Sequence, residues 1–117
     1  AINTEAAEQT ALDIAVGLSY SGKIPFVYTI TSFLLRGFET IRTYINHENL
    51  HCVLIGAGVN DEYSLHDGFS HDATDIKKHF NLMENYIQHS PDNKAELESA
   101  IIEAIENKKP NFINIHK

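Results

Sequence analysis

The stretch "AEQTALDIAVGLSYSGKIPFVYTITSFLLRG", residues 7–37, decides the fold class of this chain. Its first half carries apolar residues at helical spacing, and Gly22 offers a stop at the helix C-terminus. The run "KIPFVYTIT", residues 23–31, then concentrates β-branched and aromatic residues, which is typical of a buried strand. Ser32 can cap a second helix. The stretch therefore predicts a helix–strand–helix unit.

The same alternation continues to the end of the chain. "HCVLIGAG", residues 51–58, predicts a second buried strand, and a short helix is expected over residues 73–80. A weaker strand follows around "ENYIQHS", residues 84–90, and "Ser90-Pro91-Asp92" favours a helix start there. "NFINIH", residues 111–116, closes the chain as a strand. Alternation of this kind predicts an α/β protein, namely a three-layer α/β/α fold with a mainly parallel sheet.

Composition limits the function classes. The 117 residues suffice for one domain, and their hydrophobic content of 43% is ordinary for a globular protein. The net charge of −7 argues against nucleic acid or an anionic membrane as a partner. No apolar run approaches the roughly 20 residues that span a bilayer. Because Cys52 is the only cysteine, no internal disulfide can form, and we expect a reducing, cytoplasmic location.

Sites in parallel sheets lie beyond the carboxyl ends of the strands. This rule selects "TITSF", residues 29–33, and the loop of residues 58–71. "GAGVND" disfavours a dinucleotide site, because Asp61 stands where the third glycine of that fingerprint would be. No serine lies in a nucleophile elbow, and Cys52 lies among apolar residues that favour an inert thiol. We therefore expect a cofactor to supply the reactive atom in any catalysis.

The loop contains "HDGFSHD", residues 66–72, in which imidazoles and carboxylates alternate. His66, Asp67, His71 and Asp72 are of the types that bind zinc or iron, although their spacing matches no common zinc pattern. A solvated polar loop explains the same residues. Glu8 also allows two interpretations. Burial among small apolar residues would raise its pKa and let it share a proton with a ligand base, or it is an acid placed to favour the helix dipole.

Three motifs in order carry a family resemblance: "AEQ" at a helix start, "SFL" at residues 32–34 and "DGFSH" in the loop. Together they resemble the pyrimidine-binding domain of transketolase-like, thiamin-diphosphate-dependent enzymes over nearly the whole chain. "YINHEN", residues 44–49, is most similar to transketolases made as two separate subunits. The resemblance implies the thiamin-diphosphate-binding fold, with residues 1–117 forming one pyrimidine module that lacks its first helix–strand unit. We therefore expect a fragment of a longer chain.

The resemblance also implies residue roles. Glu8 matches the catalytic glutamate that hydrogen-bonds a ring nitrogen of the cofactor's aminopyrimidine. Phe33 matches the aromatic residue that stacks on that ring, and Phe38 is expected to extend the apolar wall. In the loop, Asp67 and His71 match catalytic residues that face the sugar's hydroxyl and carbonyl groups.

Other positions carry weaker expectations. Gly68 would permit the tight backbone of the loop. Arg36 falls where related enzymes place a cation near a sugar phosphate, and an exposed helix arginine is the alternative. The resemblance assigns no role to His66 or Asp72, and no metal ligand to this chain.

The implied activity is transfer of a two-carbon ketol unit between sugars or sugar phosphates. The family's "GDG" signature is absent from this sequence, so we expect a partner domain or subunit to hold Mg²⁺ and the diphosphate, in a dimer or another homo- or hetero-oligomer. The isolated chain is expected to be inactive. Two alternatives remain: a pyruvate-dehydrogenase-like β subunit, and a non-catalytic assembly domain of the same fold.

Overall fold

The computed structural model describes residues 1–63 and 66–117. Its helices and strands, in chain order, are α1 (Glu8–Tyr20), β1 (Phe26–Ile30), α2 (Phe38–Thr40), β2 (Val53–Ala57), α3 (Ile76–Asn81), β3 (Ile87–His89), α4 (Lys94–Glu106) and β4 (Asn111–Ile115). The single turn of α2 lies inside a longer helical segment, which begins as a 3₁₀ helix (Thr31–Gly37) and ends as a π-helix (Ile41–Asn46). A second 3₁₀ turn covers Phe69–His71.

The four strands form one parallel sheet in the order β1-β2-β4-β3. Val27, Leu54 and Phe112 stand side by side in this register, so their side chains point to the same face. The predicted alternation of helices and parallel strands is confirmed.

Helices cover both faces of the sheet. On one face α1, α3 and the helical segment of residues 31–46 enclose the larger core. Its buried residues are Leu12, Ala15, Val27, Leu34, Ile41, Ile45, Cys52, Leu54, Ala73, Ile76, Phe80, Met83, Tyr86 and Phe112. On the other face α4 packs Ala100 and Ala104 against Val53 and Ile113. The three-layer α/β/α prediction is therefore confirmed.

One predicted helix start is wrong. Helix α4 begins at Lys94 rather than at Ser90-Pro91-Asp92. The Asn93 side chain accepts a hydrogen bond from the Glu96 amide at 3.0 Å, and the Glu96 carboxylate accepts one from the Asp92 amide at 2.8 Å. This reciprocal capping box satisfies two otherwise unpaired donors, and it sets the start of the helix after the proline.

Two further features concern the helices and the single cysteine. Across residues 1–63 and 66–117 we find no helix with the length and apolarity needed to cross a membrane. The lone thiol, Cys52, is buried in the larger core, and desolvation raises its pKa to about 12.

Candidate active site

A close approach between strand β2 and the first helical turn shapes the site. Gly56 lies so near Thr31 that a Cβ atom there would be 2.6 Å from Thr31 Oγ1 and 3.0 Å from its Cα. The Asn114 amide on β4 lies 2.9 Å from the same hydroxyl and, with its nitrogen facing these oxygens, also donates to the carbonyls of Gly56 and Gly58. The turn carrying Ser32 and Phe33 is thus fixed at the carboxyl ends of the strands.

Glu8 points into this region from the first position of α1, with only 8% of the residue exposed. Arg36 Nη1 donates a hydrogen bond to Glu8 Oε2 at 2.9 Å. The Thr29 hydroxyl, near the end of β1, lies 3.5 Å from Glu8 Oε1. A helix start, a strand end and the 3₁₀ turn therefore meet at one carboxylate.

The pKa of Glu8 is lower than usual. Burial raises the pKa of this carboxyl. The hydrogen bond and positive charge of Arg36, the backbone amide of Glu8 and the Thr29 hydroxyl together lower the pKa by a larger amount. The expectation of a raised pKa was therefore wrong, because the guanidinium of Arg36, in the 3₁₀ helix after β1, compensates the carboxylate.

Arg36 also covers the ring of Phe33, with its Cζ atom 3.9 Å from the ring centroid. One flat guanidinium consequently hydrogen-bonds the Glu8 carboxylate and lies over the Phe33 ring at the same time. The Arg36 side chain also reaches solvent, since 48% of it is exposed. A planar group with nitrogen donors therefore fits the space between Glu8 and Phe33.

The loop after β2 joins the same edge of the sheet. The Ser32 hydroxyl donates to the Ser70 carbonyl at 2.6 Å. The rings of Phe33 and His71 meet edge-on, with centroids 4.9 Å apart. Gly68, at φ +83°, provides the left-handed turn before His71. The structure thus brings Glu8, Phe33 and His71 to one edge.

A cluster of hydrogen bonds and ion pairs at the end of β4 holds this loop in place. Glu62 accepts hydrogen bonds from the backbone amides of Val59 and Lys117, each at 2.9 Å, and pairs with the His116 imidazole. His116 Nε2 also lies 3.2 Å from Asp92 Oδ1. The hydrogen bonds to Glu62 and Asp92 raise the pKa of His116.

Among the residues that the structure describes, no three histidine, cysteine or acidic side chains are arranged to hold a metal ion.

The family profile described as "Transketolase, pyrimidine binding domain" matches residues 1–117. The chain belongs to the transketolase pyrimidine-binding domain family. The match covers every residue that forms the site described above.

Three solved structures resemble this transketolase pyrimidine-binding domain. A split-gene transketolase, titled an inactive beta4 tetramer, is 28% identical with a TM-score of 0.82, and the match covers 94% of this chain and 35% of that one. Transketolase from Campylobacter jejuni subsp. jejuni is 18% identical, with a TM-score of 0.83 and coverage of 92% and 17%. Transketolase from Leishmania mexicana is 19% identical, with a TM-score of 0.84 and coverage of 92% and 16%. The latter two support the fold alone, and the domain spans a minor part of each protein.

The other predicted residues of this transketolase pyrimidine-binding domain have different surroundings. Asp67 is exposed on the loop. Phe38 packs edge-on against His79 of α3, with centroids 5.7 Å apart, and borders the larger core; neither contact involves Phe33. His66 is exposed, and the Asp72 carboxylate accepts a hydrogen bond from the Thr74 amide at 2.8 Å, as in a local turn.

Two residues near the site were not predicted from the sequence of this transketolase domain. Thr29 reaches Glu8 from strand β1, and Tyr63 places its ring 5.3 Å from that of His71. Thr29 lies in "TITSF", where the end of a strand next to a site could have indicated it. Tyr63 lies in a loop without periodicity, so no pattern selected it. Only the neighbouring glycines indicated that a bulky side chain lies close to the backbone there.

Proposed function

We propose that this domain is the pyrimidine-binding half of a transketolase-type active site, which transfers a two-carbon ketol unit between sugars with thiamin diphosphate. One observation carries the proposal: a single flat guanidinium is hydrogen-bonded to Glu8 and lies over the Phe33 ring. An aminopyrimidine is likewise flat, and its ring nitrogen, once protonated, donates a hydrogen bond to a carboxylate as the guanidinium does. It would therefore find a carboxyl partner and an aromatic face in the positions that Arg36 uses.

The residues present fit this cofactor. Glu8 would hold a ring nitrogen, and Phe33 would stack on the ring, a contact worth about 1 kcal/mol beyond the burial of area. When bound, thiamin diphosphate supplies the nucleophilic carbon that carries the two-carbon unit. This chain would hold the pyrimidine ring and exchange a proton with it at the Glu8 carboxylate.

The loop would serve the sugar. The Ser70 hydroxyl lies 3.2 Å from His71 Nδ1, and an imidazole can move protons near neutral pH. Asp67 provides an acceptor for sugar hydroxyls. Arg36 has to leave Glu8 before the cofactor ring can enter, and its half-exposed side chain could then meet an anionic substrate such as a sugar phosphate.

A partner completes the proposed site. The sequence holds no Gly-Asp-Gly, and its net charge of −7 does not attract a diphosphate. We therefore assign Mg²⁺ and the diphosphate to another domain or subunit, in a dimer or another homo- or hetero-oligomer. The single cysteine favours a reducing compartment, so we place this assembly in the cytoplasm.

Replacing the proposed proton-exchanging residue tests the function. In the complete assembly, Glu8→Gln should preserve the circular dichroism spectrum and lower kcat by about 10²- to 10⁴-fold, because an amide cannot exchange that proton. Glu39→Gln is the control, since Glu39 is an exposed acid paired with Arg42 away from the site. Wild-type turnover by Glu8→Gln would remove Glu8 from the mechanism.

Substrate and cofactor titrations separate the alternatives. Ketol transfer between sugars supports the proposal, whereas consumption of pyruvate without sugar turnover would indicate a pyruvate-dehydrogenase-like subunit. Thiamin diphosphate and Mg²⁺ should bind much more tightly when the partner is added. A lack of binding with and without the partner would indicate a non-catalytic assembly domain.

A further inference from the structure

Tyr63 is a second aromatic residue, besides Phe33, that contacts the ring of His71. The rings of Tyr63 and His71 have centroids 5.3 Å apart and are tilted by 50°, while Phe33 meets His71 at 4.9 Å and 62°. Two aromatic rings from different parts of the chain therefore restrict the rotation of one imidazole. The family resemblance assigned no role to Tyr63.

Tyr63 itself is fixed by its surroundings. Gly58 lies directly against its ring, because a Cβ atom at position 58 would be 2.3 Å from Tyr63 Cε2. The backbone of Gly58 also has a φ of +93°, which favours glycine over other residues. The Lys117 ammonium lies 4.4 Å from the ring centroid, a cation–π contact. Tyr63 is thus held between Gly58, just after β2, and Lys117, two residues after β4.

The state of the Tyr63 hydroxyl is also defined. Burial raises the pKa of Tyr63, and electrostatic interactions with Tyr28, Asp67 and Glu62 raise it further. The phenol therefore stays neutral near physiological pH. The ring can act as a fixed, uncharged packing surface.

The orientation of His71 follows from these contacts. The Ser70 hydroxyl lies 3.2 Å from His71 Nδ1, and within residues 1–63 and 66–117 no hydrogen bond reaches Nε2, which is therefore the ring nitrogen that faces a ligand. We propose that Tyr63 is a positioning residue, whose ring fixes the direction in which His71 Nε2 faces the substrate. The link to a sugar substrate rests on the proposed function, whereas the packing of Tyr63 on His71 does not.

A spectroscopic experiment tests the packing in the 117-residue chain without any cofactor. The Hε1 resonance of His71, assigned by its loss in His71→Gln, is compared in Tyr63→Leu, Tyr63→Phe and the wild type. We expect Tyr63→Leu to move the resonance toward that of an exposed histidine and Tyr63→Phe to leave it near the wild-type position, because phenylalanine retains the ring. Tyr44→Leu is the control, because Tyr44 is exposed on the π-helix.

A second variant guards against misfolding of Tyr63→Leu. Gly58→Ala should displace the Tyr63 ring and move the His71 resonance in the same direction, with the tyrosine still present. An unchanged His71 resonance in both folded variants would overturn the proposal.

Kinetics of the complete assembly separate this inference from the proposed function. Tyr63→Leu should lower kcat about 10- to 100-fold with a smaller effect on KM, since small misplacements of a reacting group have costs of this order. Tyr63→Phe should restore turnover. If the wild type turns over sugars and Tyr63→Leu matches it, the positioning role is wrong. If the wild type transfers no ketol unit, the proposed function fails, and the His71 resonance still decides the packing.

Discussion

Arg36 is the residue with the most consequential contacts. The resemblance implied a cation near a sugar phosphate, whereas the structure places the guanidinium on Glu8 and Phe33. We propose that the two roles belong to two positions of this half-exposed side chain, of which the structure shows the one on Glu8. An arginine suits both because its planar group stacks on rings and binds carboxylate or phosphate.

Removal of this guanidinium should raise the pKa of Glu8. In Arg36→Ala, burial continues to disfavour the ionised carboxylate, while the largest lowering interaction is lost. Carbon-13 NMR titration of the Glu8 carboxyl measures the change. The variant should therefore be less stable than the wild type above the unfolded pKa of Glu8. Because the folded-state pKa of wild-type Glu8 is lowered, its contribution is present above the unfolded pKa and is lost as the pH falls through the folded pKa.

A matched variant shows whether the effect is local. Arg42→Ala removes the arginine of the exposed Arg42–Glu39 pair and should leave the Glu8 titration unchanged. An unaltered Glu8 pKa in Arg36→Ala would mean that the ion pair does not control this carboxyl.

The sequence allowed only part of the site to be predicted. Glu8 could be named as a candidate from its motif alone, and Phe33 and His71 from their motifs and from the rule for strand ends; their roles stay predictions. The direction of the Glu8 pKa could not be predicted, since its cation lies 28 residues further along the chain and a side-chain contact at that separation has no periodic signal. Tyr63 was missed for the same reason.

At the scale of elements, the connection between β1 and β2 departs most from expectation. A single helix was predicted after Ser32, but residues 31–46 pass from a 3₁₀ helix through one α turn to a π-helix. Non-α helical turns of this kind are frequent near functional sites. The alternating pattern still predicted the order of the elements, because apolar periodicity reports burial and does not depend on the exact winding.

The contact of β2 with the 3₁₀ turn makes Gly56 a sensitive position. Gly56→Ala should lower the free energy of unfolding by about 1–3 kcal/mol, because a Cβ atom would overlap Thr31. Urea denaturation measures this change. Gly17→Ala is the control, since a Cβ atom there meets nothing within 4 Å and alanine favours the helix by about 0.5–1 kcal/mol. Equal stability of Gly56→Ala and the wild type would show that this approach is loose.

At the scale of the whole molecule, charge limits what the chain can bind alone. The contacts proposed for the cofactor involve its pyrimidine, while the acidic chain carries a net charge of −7. We therefore propose that recognition of the ring and recognition of the diphosphate belong to different parts of an assembly. The domain spans 35% of a split-gene transketolase, which is consistent with this proposed division.

Affinity for two related ligands tests this division. The chain alone should bind thiamin and thiamin diphosphate with affinities that differ by less than about tenfold, or about 1.4 kcal/mol, and Mg²⁺ should not change the ratio. Isothermal titration calorimetry at fixed ionic strength measures both. A strong preference for the diphosphate form would place an anion site within this chain.

The buried thiol of Cys52 has a practical use. Because its pKa is raised to about 12, the thiol stays protonated and enclosed, and alkylating reagents should not react with it. A cysteine introduced at Phe69, where 90% of the residue is exposed, would then accept a single maleimide dye without removal of the native one. Such a fluorophore would sit on the proposed substrate loop and could follow the docking of a second polypeptide in real time.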